Sequence, residues 1–183
     1  MVIAAYLHDP LVHLASAGAL ALLLGASALH KLRNRQGFAQ VLVRYGELLG
    51  GRLPITVLTG LLPLLELLAA FGVLASFLWP AAAWSAALLL ALYAAVLALG
   101  ACRGTAIEDC GCHFGGKPQP PSAALAWRNL LLVALALNLL APVVARPLGW
   151  LDALVLGFAI GCGVALYLLA NLLISNSVSL REL

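Results

Sequence analysis

Five long runs of apolar residues dominate the sequence and limit what it can fold into. A helix that crosses the hydrocarbon core of a bilayer needs about 20 mostly apolar residues, and each run meets that length. Leu and Ala, both good helix formers, supply most of each run, and no run alternates polar with apolar residues as membrane β-strands do. The predicted spans are Leu11 to Leu29, Leu53 to Leu78, Ala81 to Ala101, Ser122 to Val144 and Trp150 to Ile174.

The composition excludes an ordinary soluble domain. The chain is 64% hydrophobic and 9% charged, whereas soluble domains carry about 25% charged residues. Because backbone groups in lipid must be satisfied within the protein, a closed helical bundle is the fold that remains. We therefore predict an all-α polytopic membrane bundle that forms a single domain over residues 1–183. The net charge of +3 does not indicate nucleic acid as a partner; the lipid bilayer is the partner that the composition requires.

The basic residues are distributed unevenly between the two sides that five spans define. Cytoplasmic loops of membrane proteins carry an excess of Lys and Arg. One side holds nine basic residues and the other holds only Arg146. This distribution predicts a bacterial inner-membrane protein with its amino terminus outside and the loop after span three in the cytoplasm. The nine residues are Lys31, Arg33, Arg35, Arg44, Arg52, Arg103, Lys117, Arg128 and Arg181.

The segment after the first span has the pattern of a short amphipathic helix. Its apolar residues recur at intervals of three and four, which places them on one helical face. Two placements fit this pattern: an interfacial helix among the lipid headgroups, or a helix packed under the bundle. The residues of the face are Phe38, Val41, Leu42, Tyr45, Leu48 and Leu49.

Glu66 is a carboxylate near the middle of the second predicted span, one turn after Pro63. A carboxylate at that depth is costly unless it is neutral, paired or facing a cavity. One interpretation is a proton acceptor beside a redox centre. The other is an interhelical hydrogen bond, for which His13, His30 and Asn138 are the candidate partners. For His30-Lys31, at the end of span one, we expect the polar ends of the side chains to extend to the interface.

Four cysteines carry the remaining chemistry of the sequence, and two of them form the sequence Cys110-Gly-Cys112 in the loop after span three. Gly111 gives the backbone the freedom to bring both side chains together. A disulfide in so small a ring would be strained and easily reduced. Cys102, at the end of span three, is placed to resolve a mixed disulfide, and Cys162 in span five is expected to be a small packing residue.

Three interpretations of the cysteine pair stay open from spacing alone. The pair exchanges disulfides with a partner, as a thiol–disulfide oxidoreductase does, or it binds zinc or copper together with His113 and Cys102. The third interpretation is two reduced thiols without a chemical role. No Cys-x-x-Cys-His sequence for haem attachment occurs, and the sequence predicts no bound cofactor.

The sequence resembles the methylamine utilisation MauE family, which is related to DoxX-like membrane proteins. The resemblance covers nearly the whole chain. The sequence differs from the family at one place: His113 is inserted before Phe114, where the family usually reads Cys-Gly-Cys-Phe-Gly. The matching elements are Leu29-His30-Lys31-Leu32-Arg33, Phe38 and Tyr45, Pro63-Leu64-Leu65-Glu66-Leu67, and Asp109-Cys110-Gly111-Cys112 with Phe114-Gly115.

The resemblance implies an accessory protein that relays reducing equivalents to, or helps to mature, a periplasmic redox enzyme such as methylamine dehydrogenase. It implies Cys110 and Cys112 as the exchanging pair and a thioredoxin-like protein as a partner. It assigns no role to Glu66. A role in the maturation or reduction of a periplasmic enzyme conflicts with the cytoplasmic placement of the loop, unless electrons pass outward from a cytoplasmic thiol donor. Two alternatives belong to other functional classes: an assembly subunit of a membrane complex, and a metal-binding membrane protein.

Overall fold

The computed structural model describes residues 8–51, 54–103, 122–144 and 146–179, and every regular element in these ranges is a helix. The side chains of Leu49 and of residues 175–179 are not described. The helices are α1 (Pro10–Arg33), α2 (Arg35–Leu49), α3 (Ile55–Ala75), a 3-10 helix (Pro80–Ala83), α4 (Trp84–Cys102), α5 (Ala123–Asn138) and α6 (Trp150–Ser179). The prediction of an all-helical polytopic membrane protein is confirmed.

Four of the five predicted spans are helices long and apolar enough to cross a bilayer, and α5 is the exception among the described residues. It has 16 residues, which rise about 24 Å against a hydrocarbon core of about 30 Å. The predicted end at Val144 is wrong, because the chain leaves the helix after Asn138 in a turn. Pro142 follows within a few residues and cannot continue a helix.

The helices connect two ends of the bundle, which we call the His8 end and the Cys102 end. At the His8 end, the Val144 amide donates to the carbonyl of His8 at 2.9 Å, so the chain after α5 returns beside the start of α1. At the Cys102 end, Arg103 donates to the carbonyl of Leu48. The loop that contains the cysteine pair therefore leaves the bundle at the end where the basic α2 lies.

Helix α2 packs against the bundle by the face that its spacing predicted. Its apolar side chains contact α4, where Val96 lies against them, while Arg44 and Glu47 are exposed. Gly50 ends the helix with a φ of +69°, a conformation that side chains disfavour. Of the two placements considered, the structure shows the helix packed on the bundle. The buried members of the face are Phe38, Val41, Leu42, Tyr45 and Leu48.

The main core is built from small and branched side chains of α1, α3, α4 and α5. Helix α6 adds little to it, because none of its most apolar stretch is buried inside the protein. It approaches α1 at Gly18, where a Cβ atom would lie 2.9 Å from Ile160 Cδ1. Helix α6 is thus a peripheral helix whose large apolar surface faces lipid. The core residues include Ala17, Leu20, Leu24, Ala69, Val73, Ala86, Leu90, Ala136 and Leu139.

An ion-pair cluster closes the His8 end. Arg146 donates to Asp9 at 2.9 Å and to Asp152 at 2.9 Å, and Asp9 also caps α1 by accepting from the Leu11 amide at 2.7 Å. The Arg146 hydrogen bond, followed by the Leu11 amide, lowers the pKa of Asp9 below its usual value. The cluster joins the start of α1 to the connection between α5 and α6.

Replacing Asp9 by Asn is expected to make thermal stability less dependent on pH in the acid range. A carboxyl whose folded pKa is lowered stabilises the protein above its unfolded pKa of about 3.9. That stabilisation is lost as the pH falls through the lower folded value. The difference in melting temperature between wild type and Asp9→Asn, measured from pH 7 to pH 3, should shrink as the pH falls below about 4. If the two curves of melting temperature against pH ran parallel over the whole range, the stabilising role of the Asp9 carboxylate would be contradicted.

Candidate functional site

A buried ion pair between Lys31 and Glu66 lies inside the bundle. The Lys31 side chain is 3% exposed and Glu66 is fully buried. Lys31 belongs to the last turns of α1, and Glu66 belongs to the middle of α3, so the pair joins two spans that pack closely. Opposite charges in so apolar an environment attract strongly, and each is costly without the other. The prediction that Lys31 extends to the interface is therefore wrong.

One oxygen of Glu66 collects three hydrogen bonds. Glu66 Oε1 accepts from Lys31 Nζ, from Ser27 Oγ at 3.0 Å and from the Tyr93 hydroxyl at 2.9 Å. Lys31 Nζ also donates to Ser27 Oγ at 2.9 Å. The other oxygen, Oε2, is buried and has no hydrogen-bond partner among the described residues. The carboxylate is thus held firmly at one oxygen and leaves an acceptor at the other.

Aromatic rings complete the surroundings of the lysine. Lys31 Nζ lies 5.0 Å from the ring centroid of Tyr93 and 5.4 Å from that of Phe38. Cation–π contacts within about 6 Å are attractive and gain strength when water is excluded. Because Phe38 belongs to α2, this helix covers the ion pair from the Cys102 end. The packing of α2 on the bundle and the burial of Lys31 are consequently linked.

A small cavity lies beside Glu66, with a volume of about 40 Å³. Its polar lining includes Arg128 of α5, whose Nη1 donates to Asn171 Oδ1 at 2.8 Å and whose guanidinium lies 5.0 Å from the Tyr167 ring. Among the described residues, no carboxylate pairs with Arg128. Lys31, Glu66 and Arg128 therefore give this region one net positive charge. The polar lining residues are Ser27, Glu66, Tyr93, Arg128, Asn129 and Tyr167.

The predicted site residues fall into two groups. Glu66 does form interhelical hydrogen bonds, but its observed partners are Ser27, Lys31 and Tyr93 in place of the three candidates. His13 instead lies 3.0 Å from Ser76 Oγ. The second group is the cysteine loop: Cys110, Cys112 and His113 lie outside the described residues, so their arrangement stays a prediction.

The two described cysteines are free thiols. Cys102 is exposed at the end of α4, where the cysteine loop begins, and Cys162 is half-buried in α6. No group of three or more His, Cys, Asp or Glu side chains suited to a metal occurs within the described part of the chain. The metal interpretation therefore depends on Cys102 together with loop residues that lie outside the described ranges.

Sequence reasoning missed Ser27, Tyr93 and Arg128 as members of the site. Arg128 and Lys31 were both counted as charges at the cytoplasmic side, whereas both side chains line or fill the interior. One signal was available: Ser27 and Lys31 are four residues apart and therefore share a helix face. A polar face at the end of an apolar span suggests a buried partner. Tyr93 carried no such signal.

These features define a polytopic helical membrane protein with a charged, hydrogen-bonded centre inside the bundle. The family model of the methylamine utilisation protein MauE matches residues 9–142. The chain belongs to this family. The matched region contains α1 to α5, the Lys31–Glu66 pair and the cysteine loop, and it ends before α6.

Curated relatives from three bacteria support the assignment. A methylamine utilization protein MauE of Paracoccus denitrificans is 41% identical over 132 residues, which are 72% of this chain and 70% of the relative. One from Paracoccus versutus is 37% identical over 147 residues, covering 80% and 78%. One from Methylophilus methylotrophus is 38% identical over 105 residues, covering 57% and 54%. No solved structure gives a significant match.

Proposed function

We propose that the protein is an inner-membrane accessory protein of methylamine utilisation that exchanges disulfides through Cys110 and Cys112. The observation that carries the proposal is the exposed free thiol of Cys102 at the end of α4, eight residues before a Cys-Gly-Cys sequence. Three thiols thus follow one another within a short stretch of an otherwise apolar protein. The names of the relatives supply the methylamine context.

The exchange proceeds in two balanced steps. A thiolate of the pair attacks one sulfur of a partner disulfide, which breaks the S–S bond and releases the other sulfur as a thiolate. The second cysteine then attacks the mixed disulfide, so that Cys110 and Cys112 form a disulfide and the partner leaves as a dithiol. Two electrons pass to the partner, and the two thiol protons end on the partner's sulfurs. A thioredoxin-like protein that reduces the pair again closes the cycle.

Cys102 can take part because the chain limits its distance from the pair. Eight residues span at most about 28 Å, so the pair stays near the end of α4. Attack requires contact between the sulfur atoms, and the short connection lets the exposed Cys102 thiol meet a mixed disulfide at the pair while the partner is still attached. We assign Cys102 the auxiliary role of resolving mixed disulfides, and His113 that of favouring a neighbouring thiolate when it is protonated.

The basic end of the bundle supports a cytoplasmic placement of the exchange site. Arg33, Arg35 and Arg44 lie at the Cys102 end, and cytoplasmic surfaces carry such excess charge. The donor of electrons is then a cytoplasmic thioredoxin-like protein. Because thiols on the cytoplasmic side cannot touch a periplasmic disulfide, the partner that the pair reduces directly is a membrane-embedded dithiol carrier, which passes the electrons outward to the periplasmic enzyme.

A trapping experiment tests the exchange. In a Cys102→Ser background, single Cys110→Ser and Cys112→Ser variants each leave one thiol that can attack and none that resolves. One of these variants is expected to accumulate a mixed disulfide with a partner, which a reductant releases. Cys162→Ser in the same background keeps the pair and should trap nothing. If neither single variant forms a mixed disulfide, the exchange is contradicted.

A second candidate function is an assembly subunit of a membrane complex. The observation that favours it is α6, whose most apolar stretch has no buried residue and where Gly157 and Gly161 have open space beside them. Small residues in such positions allow another membrane helix to approach closely. A variant that lacks both loop cysteines and keeps full function would favour this candidate.

A further inference from the structure

Two residues that line the same cavity each carry a buried polar atom without a hydrogen-bond partner among the described residues. Glu66 Oε2 is an acceptor and Arg128 Nε is a donor, and neither has a hydrogen bond with any described residue. Glu66 and Arg128 both line the cavity of about 40 Å³ between α1, α3, α4, α5 and α6. Buried polar groups in native proteins are almost always paired with protein or ordered water. A ligand that satisfies both atoms must accept from the guanidinium and donate to the carboxylate.

The geometry points to an internal water site that bridges Glu66 Oε2 and Arg128 Nε. The size of the cavity supports water as the ligand, because one bound water needs roughly 10–15 Å³ of cavity volume. The cavity thus has room for about two or three water molecules. An aromatic ring is too large, since benzene occupies an engineered cavity of about 150 Å³ in another protein.

Charge separates water from small ions. Arg128 and Lys31 together would repel a cation, and a simple anion could accept from Arg128 but has no hydrogen to donate to Glu66 Oε2. Water both donates and accepts, so it meets the two atoms without adding charge. The other polar groups on the cavity wall, such as Ser27 and Asn129, offer the further hydrogen bonds that a buried water usually makes.

The water bridge joins two polar groups that the protein side chains leave separate. The first is the cluster of Ser27, Lys31, Glu66 and Tyr93, which connects α1, α3 and α4. The second is the Arg128–Asn171 contact, which connects α5 and the peripheral α6. With water between them, one hydrogen-bonded network connects α1, α3, α4, α5 and α6 and keeps Glu66 in contact with exchangeable protons. This inference is independent of the proposed thiol chemistry.

Radiolytic labelling tests the site in lipid nanodiscs. Brief X-ray irradiation turns water into hydroxyl radicals that oxidise the side chains next to it, and water labelled with heavy oxygen marks the product for mass spectrometry. Tyr93 and Tyr167 line the cavity and should be labelled faster than two controls. Phe71 is a ring on the lipid-facing surface, 68% exposed in the protein alone, and Tyr45 is buried elsewhere.

A matched pair of variants assigns the label to the cavity. Leu23 lines the cavity, so Leu23→Phe fills it and should abolish labelling of Tyr93 and Tyr167. Leu22, its neighbour, is 54% exposed on the outer face of α1, so Leu22→Phe should leave labelling unchanged. The inference is overturned if Tyr93 and Tyr167 label no faster than Phe71 in wild type, a comparison that does not need either variant to fold. Unchanged labelling in a folded Leu23→Phe protein would also overturn it.

Discussion

Lys31→Met is expected to lower the free energy of unfolding by about 3–5 kcal/mol, the cost of removing one partner of a buried ion pair. The substitution keeps most of the side-chain volume but leaves Glu66 as a fully buried carboxylate. Ser27 and Tyr93 still donate to it, yet neither carries the charge that compensates it. Glu66→Leu should be costly for the converse reason, since it leaves the buried ammonium without its carboxylate.

The double variant separates the charge from the packing. Lys31→Met with Glu66→Leu leaves neither charge unpaired, and replacing a buried pair by apolar residues is often neutral or stabilising. We expect it to recover most of the stability that each single variant loses. Denaturant titration in detergent micelles measures all three variants and wild type.

Tyr93→Phe is the matched control for the ion pair. It keeps the ring beside Lys31 and removes only the hydroxyl that donates to Glu66, so it should cost about 1.5–3 kcal/mol, the range for a hydrogen bond to a charged group. A Lys31→Met variant that is no less stable than Tyr93→Phe would contradict the role of the ion pair. The role of the ion pair would also be contradicted if the double variant lost as much free energy of unfolding as the two single variants lose together.

Replacing both loop cysteines by serine is expected to abolish the physiological function. Serine is nearly the same size as cysteine, but its hydroxyl neither ionises near neutral pH nor forms a disulfide, so the exchange loses both sulfurs. The test is methylamine-dependent growth of a Paracoccus denitrificans strain from which the MauE relative has been deleted. Wild type should restore growth, and the double Cys110→Ser, Cys112→Ser variant should not.

Cys162→Ser is the control for this loss, because it removes a thiol from the middle of α6 and leaves the loop intact. It should support growth as wild type does. Cys102→Ser should slow growth without stopping it, since the pair can still resolve a mixed disulfide by itself. Growth with the double variant at the wild-type rate would contradict the exchange, and no growth with wild type would contradict the methylamine context.

The fold follows from simple rules of the bilayer, which explains why the sequence predicts most of it. Apolar runs of sufficient length become spans because no other structure satisfies the backbone in lipid. The face of Phe38, Val41 and Tyr45 is buried because its spacing matches the helical period. The end of α5 was harder to predict, since the residues from Leu139 to Val144 are as apolar as the helix itself. Pro142 is the one signal in that stretch, because it cannot continue a helix, and the turn already begins after Asn138.

The buried centre depends on the rotation and depth of each helix, which the sequence of a single span does not contain. Lys31 lies near the end of α1, where a lysine usually extends to the interface. It turns inward because α3 places Glu66 within reach and α2 covers it with Phe38. The place of Arg128 in the site was missed for the same reason, because its partner Asn171 and the other residues of the cavity wall come from distant parts of the chain. A charged side chain near the end of a span thus either extends to the interface or turns into the bundle, and the packing of the neighbouring helices decides which.

The most direct test of the proposed exchange is a redox titration of Cys110 and Cys112 in native membranes. Membranes are equilibrated with mixtures of reduced and oxidised thiol reagent, and free thiols are then alkylated and counted by mass spectrometry. The account predicts that the two cysteines oxidise together, as a two-electron couple with one midpoint, at a potential higher than that of a structural disulfide. A pair that remains fully reduced at every potential would contradict the account.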